Sequence, residues 1–351
     1  MTTTSRTIIT RRLAASALLA AAAVALSACG AGASAEPDAT TASDGAYPVT
    51  IPHAFGETEI TEHPERIVVV GYKEQDYYLA LGEVPVAIRD WYGDMPSATW
   101  PWAQEYLDGE EPVVLPRAEL DFEQIVELDP DVIVGMSAGL TEEEYDTLSA
   151  IAPTVAQPSA DDGWAVTWQD MTLKAGAILG KTAEAEALVD ELEAEITAVA
   201  ATYPELDGAS TVFASGWEGQ YYVYSPATTA SQLLLELGLV MSDEVAELTD
   251  NENQYVTLSQ ERFDLLDVDV AVWSEAADDE IMVSLLQNPL YADLPVHTEG
   301  RDVFLGKDAN GAFVFSSVLS LPYVIDTIVP ALATAVDGDP ATTSAFSAPE
   351  D

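Results

Sequence analysis

The stretch Leu120-Asp-Phe-Glu-Gln-Ile-Val-Glu-Leu-Asp-Pro-Asp-Val-Ile-Val134 decides the fold, because the chain uses its pattern twice. Leu258-Ser-Gln-Glu-Arg-Phe-Asp-Leu-Leu-Asp-Val-Asp-Val-Ala-Val272 lines up with it without a gap, 138 residues further on. In each copy a polar residue precedes a glutamate, Glu123 or Glu261, in what reads as the first turn of a short amphipathic helix. An aspartate follows, then an apolar, mostly β-branched run, the signature of a strand buried on both faces. Such strands belong to parallel sheets, whose crossovers are helices. Two copies, one in each half of the chain, predict two similar α/β units.

Around each copy the alternation continues. Arg66-Ile-Val-Val-Val-Gly71 and Val84-Pro-Val-Ala-Ile88 read as strands on either side of a short helix near Tyr77 and Tyr78, with Pro85 tolerable only near a strand start or at an edge. Thr141 and Glu144 have capping-box spacing at a helix start, and a further strand is predicted at 153–157. The region 167–203 is rich in Ala, Glu and Leu, and no proline interrupts it before Pro204. Leu188, Leu192, Ile196 and Val199 form one stripe of a 3.6-residue period there. This predicts one long connecting helix, with Gly176 and Gly180 weakening its first third. Beyond it, strands are expected at 211–215, 221–224, 268–273 and 302–305, and helices at 229–237 and 317–329. The resulting division is a lobe at 47–168, a connecting helix at 169–204, a lobe at 205–335 and a tail at 336–351.

The first thirty residues concern export. Arg6, Arg11 and Arg12 precede the uncharged run LAASALLAAAAVAL, which is too short to span a membrane. The only cysteine follows in Leu26-Ser27-Ala28-Cys29, a tetrad that resembles the lipobox of bacterial lipoproteins. Residues 1–28 are thus expected to be a lipoprotein signal peptide, Cys29 the lipid attachment site and 29–46 a flexible tether. The chain is expected at the extracytoplasmic face of the cell membrane. Its 61 acidic and 12 basic residues give a net charge of -49, and removal of three leader arginines makes it -52. So negative a surface repels nucleic acid and anionic membranes, so no nucleic-acid partner is expected.

No catalytic motif stands out. His53, His63 and His297 are scattered without ligand spacing, so neither a protein-held metal site nor a cofactor is expected. There is no G-x-S-x-G elbow and no P-loop, which argues against an enzyme. Aromatic loops are present instead: Arg89-Asp-Trp-Tyr-Gly-Asp94 and Trp100-Pro-Trp102 after strands of the first lobe, and Trp217, Tyr221, Tyr222 and Tyr224 in the second. Ligands of parallel α/β folds sit at the carboxyl ends of the strands. The spacing therefore places Arg89, Trp91, Tyr92, Trp100, Trp217 and Tyr221 around a cleft between the lobes. Alternation along a strand leaves Tyr222 and Tyr224 open to core or cleft, and Arg89 suits either a chelate oxygen or a structural ion pair.

The lipobox, the opening strand, the repeated segment, the midpoint helix and the closing helix, in this order over residues 47 to 335, resemble the substrate-binding lipoproteins of iron–siderophore ABC importers. The resemblance implies a class III periplasmic-binding-protein-like fold, two parallel-sheet α/β lobes joined by one rigid helix. It implies a monomer that captures a ferric siderophore and hands it to an ABC permease, with Glu123 and Glu261 docking onto permease arginines. The scarcity of arginine and the negative charge favour a neutral or cationic ferric hydroxamate over citrate or a catecholate. Haem and cobalamin are alternatives within the class. A carbohydrate-recognition or adhesion lipoprotein would explain the tether and tryptophans but not the paired lobes.

Overall fold

The computed structural model describes residues 46–159, 166–249, 254–274 and 279–341. The leader, Cys29, nearly all of the tether and the last ten residues of the tail lie outside the described residues.

The first lobe opens with an antiparallel hairpin, β1 (Val49–His53) and β2 (Gly56–Ile60). Then come β3 (Ile67–Val69), α1 (Gln75–Ala80), β4 (Ala87–Arg89), β5 (Val113–Leu115), α2 (Phe122–Glu127), β6 (Val132–Gly135), α3 (Glu142–Ser149) and β7 (Thr154–Ala156). The five later strands form a wholly parallel sheet in the order β5-β4-β3-β6-β7. Their buried Val and Ile side chains are covered on both faces, as the uninterrupted apolar runs require. At the head of α3 the capping box forms as read. Thr141 Oγ1 accepts from the Glu144 N–H, and the Glu144 carboxylate accepts from the Thr141 N–H at 2.8 Å.

The link between lobes differs from the single helix expected at 169–204. It is two helices, α4 (Trp168–Ile178) and α5 (Thr182–Thr202). Gly180, at φ +65°, ends α4 in a Schellman motif: its N–H donates to the Ala177 carbonyl and the Lys181 N–H to that of Gly176. The periodicity ran through this break because the apolar stripe resumes on the far side of it. Helix α4 packs on β1 and α1 of the first lobe, and α5 carries the chain across to the second.

The second lobe comprises β8 (Ser210–Trp217), β9 (Gln220–Tyr224), α6 (Thr229–Glu236), β10 (Val240–Met241), α7 (Asp243–Leu248), β11 (Tyr255–Leu258) and β12 (Val270–Ser274). It closes with α8 (Asp279–Gln287), α9 (Pro289–Ala292), α10 (Pro295–Thr298), β13 (Asp302–Phe304), α11 (Lys307–Phe315), α12 (Ser320–Thr327) and α13 (Val329–Ala335). Its core of β10, β8, β12 and β13 is parallel, and β9 and β11 extend it antiparallel.

The internal repeat holds in three dimensions. Val132, Ile133 and Val134 of β6 pair with Ile67, Val68 and Val69, while Val270, Ala271 and Val272 of β12 pair with Thr211, Val212 and Phe213. The aspartate before each strand has one job. Asp131 accepts from the N–H groups of Glu65 and Arg66, and Asp269 from that of Ser210, each pinning the entry to the neighbouring strand. The copies diverge at the helix. Asp121 caps α2 through the Gln124 N–H at 3.0 Å, whereas Ser259 makes no side-chain cap and Gln260–Leu266 is a 3-10 helix. One hydrophobic core runs from Ile67 and Val69 through Val189, Leu192 and Ile196 of α5 to Phe213, Val272 and Leu332.

Candidate functional site

The carboxyl ends of β3 and β4 deliver Gly71–Asp76 and Arg89–Tyr92 to the junction of the lobes, where α6 and α11 of the second lobe meet them. Lys73 Nζ donates to Thr229 Oγ1 at 3.1 Å, and Lys307 Nζ to the Gly93 carbonyl at 3.1 Å. Phe315, at the end of α11, lies 5.4 Å from Trp91 and 5.4 Å from Trp102 between ring centroids. The contact is tight: a Cβ on Gly311 would stand 2.5 Å from the Trp100 ring.

Four of the nine basic residues beyond the leader gather here: Lys73, Arg89, Arg117 and Lys307. Each already has partners. Arg117 pairs with Asp90 at 2.7 Å and with Asp94 at 3.4 Å. Arg89, 7% exposed, donates to the carbonyls of Val70 and Arg117 and lies 4.5 Å over the Tyr72 ring. Arg89 Nε and the Tyr92 hydroxyl are buried without a hydrogen-bond partner among the described residues. Burial, and then the neighbouring Tyr224 phenol, hold Tyr92 in its neutral form, with its pKa well above the ordinary value.

The six predicted ligand residues separate into two groups. Arg89, Trp91 and Tyr92 stand together at the junction, and Trp217 projects from the end of β8, 53% exposed. Trp100 and Tyr221 are core residues and do not line a cleft. Trp100 is 1% exposed, stacked 5.2 Å from Trp102 and hemmed in by Gly93 and Gly311. Tyr221 is 5% exposed and packs edge-on against Phe263 at 5.2 Å. The correction is one of parity. Residues 221 and 223 of β9 face the cluster of Phe263, Trp273 and Tyr291, so Tyr222 and Tyr224 take the other face, where Tyr224 stacks on Phe213 and shares a hydrogen bond with Ser215 at 3.0 Å. Tyr72, Tyr224, Lys307 and Phe315 were absent from the predicted set. For Tyr224, strand alternation was the available signal. Phe315 and Lys307 belong to a helix that no motif marked.

Beneath this wall three ionisable side chains are buried in sequence, Lys73, Glu74 and Asp76. Glu74 accepts from the backbone N–H and the hydroxyl of Ser137, yet burial pushes it up to about 7. Asp76 accepts from Trp102 Nε1 at 2.9 Å and from the Ser317 hydroxyl, and burial pushes it up to about 6. Burial lowers Lys73 to about 8 despite both carboxylates.

Glu123 and Glu261 are both exposed in the first turn of their helices, α2 and the 3-10 helix 260–266. Arg66, at the start of β3, donates to the Leu128 carbonyl at the far end of α2, so Glu123 stands toward the carboxyl ends of the strands. A separate groove of about 450 Å³ runs beside α5, bounded by Trp102, Tyr106, Leu192 and Tyr323, and contains none of the six predicted ligand residues. Among the described residues no cluster of His, Cys, Asp or Glu could hold a metal ion, and no helix is long and apolar enough to cross a membrane.

The chain is similar to a periplasmic solute binding protein from Mycobacterium smegmatis, with 34% identity and a TM-score of 0.74 over 82% of this chain and 98% of that one. It is similar to PiaA of Streptococcus pneumoniae, solved in complex with ferrichrome, with 26% identity and a TM-score of 0.70 over 83% of this chain and 99% of that one. It is 28% identical over 215 residues to the probable siderophore-binding lipoprotein YfiY of Bacillus subtilis, covering 60% of this chain and 62% of that relative, under two thirds of its length. The periplasmic binding protein family model matches residues 67–309, a span that includes both copies of the repeat and α5, and the chain belongs to that family.

Proposed function

We propose that this protein is an extracytoplasmic solute-binding lipoprotein, anchored through Cys29, that holds a ferric siderophore between its lobes and delivers it to an ABC permease without chemical turnover. One observation carries this. Strand ends of the first lobe and helices α6 and α11 of the second converge on an aromatic wall where nearly half of the cations beyond the leader are concentrated, in a chain of net charge -49. The similarity to a ferrichrome-binding protein supports the class of cargo. The chelator supplies the iron's oxygen shell, so the protein needs only packing surface and hydrogen bonds, and no metal ligands of its own.

The wall also supports a neutral or cationic hydroxamate. Asp90, Asp94, Glu74 and Asp76 counter its cations, leaving little free positive charge for an anionic chelate. Arg89 Nε and the Tyr92 hydroxyl, buried at the junction, would turn to chelate oxygens only where the lobes part to admit the ligand. Titration of the mature protein with ferrichrome, ferric citrate, a ferric tris-catecholate, haem and cobalamin, read by tryptophan quenching, tests this. Ferrichrome should bind tightest. Flat curves for all five would refute the importer function, and preference for citrate or the catecholate would refute the hydroxamate assignment.

A further inference from the structure

We propose that Asp76 is the clasp between the lobes: its buried carboxylate, shared by the Trp102 indole of one lobe and the Ser317 hydroxyl of the other, positions the aromatic wall and sets how far the lobes part. This builds on the cleft as the ligand site.

Asp76 is fully buried at the head of α1, and its Oδ2 takes both donors. Trp102 Nε1 belongs to the loop that carries Trp100, and Ser317 to the turn between α11 and α12, directly after Phe315 and Ser316. Ser317 is itself held, since its N–H donates to Ser320 Oγ at 2.9 Å and its Oγ accepts from the Ser320 N–H at 3.0 Å. The carboxylate thus grips a rigid turn rather than a free side chain. Lys73, three residues earlier, makes a second bond across the junction to Thr229 at the head of α6. Among the described residues Asp76 Oδ1 has no partner, so the group is desolvated on one side and anchored on the other.

The ionisable groups that act here are few. Lys73 lowers both carboxylates, and the Tyr77 phenol feels both. The loop of Trp102, the 316–320 turn and α6 contribute neutral donors, Trp102, Ser317 and Thr229. Parting the lobes would hydrate Asp76 and return it from about 6 toward 3.8. The closed form therefore binds the proton more tightly, and closure is favoured as pH falls from about 7 toward 4. Lys73, lowered to about 8, acts in the opposite sense only on the alkaline side.

The experiment measures the inter-lobe distance in ligand-free protein with one spectroscopic probe per lobe, from pH 4.5 to 8, together with ferrichrome affinity. Ser317→Ala and Trp102→Phe should each lengthen the distance, and the double variant should add little, since both remove donors from one carboxylate. Asp76→Asn, which keeps the shape, should abolish the part of the pH response between about 7 and 4. Ferrichrome should bind about tenfold more weakly to Ser317→Ala. Unchanged distances in Ser317→Ala and Trp102→Phe, or an unchanged pH response in Asp76→Asn, would overturn the clasp. Absence of ferrichrome binding to the wild type, with the distance changes intact, would overturn the cargo and leave the clasp standing.

Discussion

Glu74 is in a position that a carboxylate occupies only because Gly71 lacks a side chain, since a Cβ there would fall 1.6 Å from Glu74 Oε1. Folding takes Glu74 from 4.5 to about 7 and Asp76 from 3.8 to about 6. The native state therefore binds more protons than the unfolded chain across that window, and stability falls as pH rises through it. Lys73, taken from 10.5 to about 8, makes stability fall as pH drops through 10.5 to 8. These three groups together predict a minimum in melting temperature near pH 7 to 8. Thermal denaturation from pH 5 to 9 should show it, and Glu74→Gln should flatten the acid limb; an acid limb unchanged in that variant would exclude Glu74 as its source. On the other side of the junction, Gly311→Ala should cost about 1–3 kcal/mol, because the Trp100 ring has no room to retreat. Neither glycine stood out in the sequence, since close approach between distant segments leaves no local mark.

The strand β9 shows what an element adds to its residues. Composition identified it as a strand, and its alternation was known, but which parity faced inward depended on the helices packed beneath it. Tyr221→Ala should destabilise the second lobe by about 3–5 kcal/mol in chemical denaturation. Tyr224→Ala should weaken ferrichrome binding in the same titration that tests cargo, with a smaller loss of stability. Equal effects of the two on both measurements would contradict this division of faces. Elsewhere local chemistry sufficed: the Thr141–Glu144 box, the β-branched runs of β3 and β6, and the start of α6 at Thr229 all form where the residues indicate. It failed at Gly180, where a helix-ending motif was hidden by a continuing apolar stripe, at the β1–β2 hairpin, and at β5, whose partner β4 lies more than twenty residues earlier in the chain.

For the whole molecule, the core that passes from β3 through α5 to β8, β12 and α13 ties the two lobes into one body. Calorimetry should record a single transition with matching calorimetric and van't Hoff enthalpies, and two resolved peaks would show independent lobes. Glu123 and Glu261, one per lobe and both exposed, are proposed to meet the permease, whereas stabilisation of a helix start accounts for either alone. Glu123→Arg or Glu261→Arg should abolish uptake in cells and leave ferrichrome affinity near wild type; normal uptake by both would remove them from docking. The stacked indoles of Trp100 and Trp102, 5.2 Å apart and tilted by only 13°, have one further consequence. Two chromophores so close and so nearly parallel share their excited states, and the second lobe presses on one while Asp76 holds the other. Parting of the lobes should retilt the pair, so the near-ultraviolet circular dichroism of the unlabelled protein is expected to report its own closure.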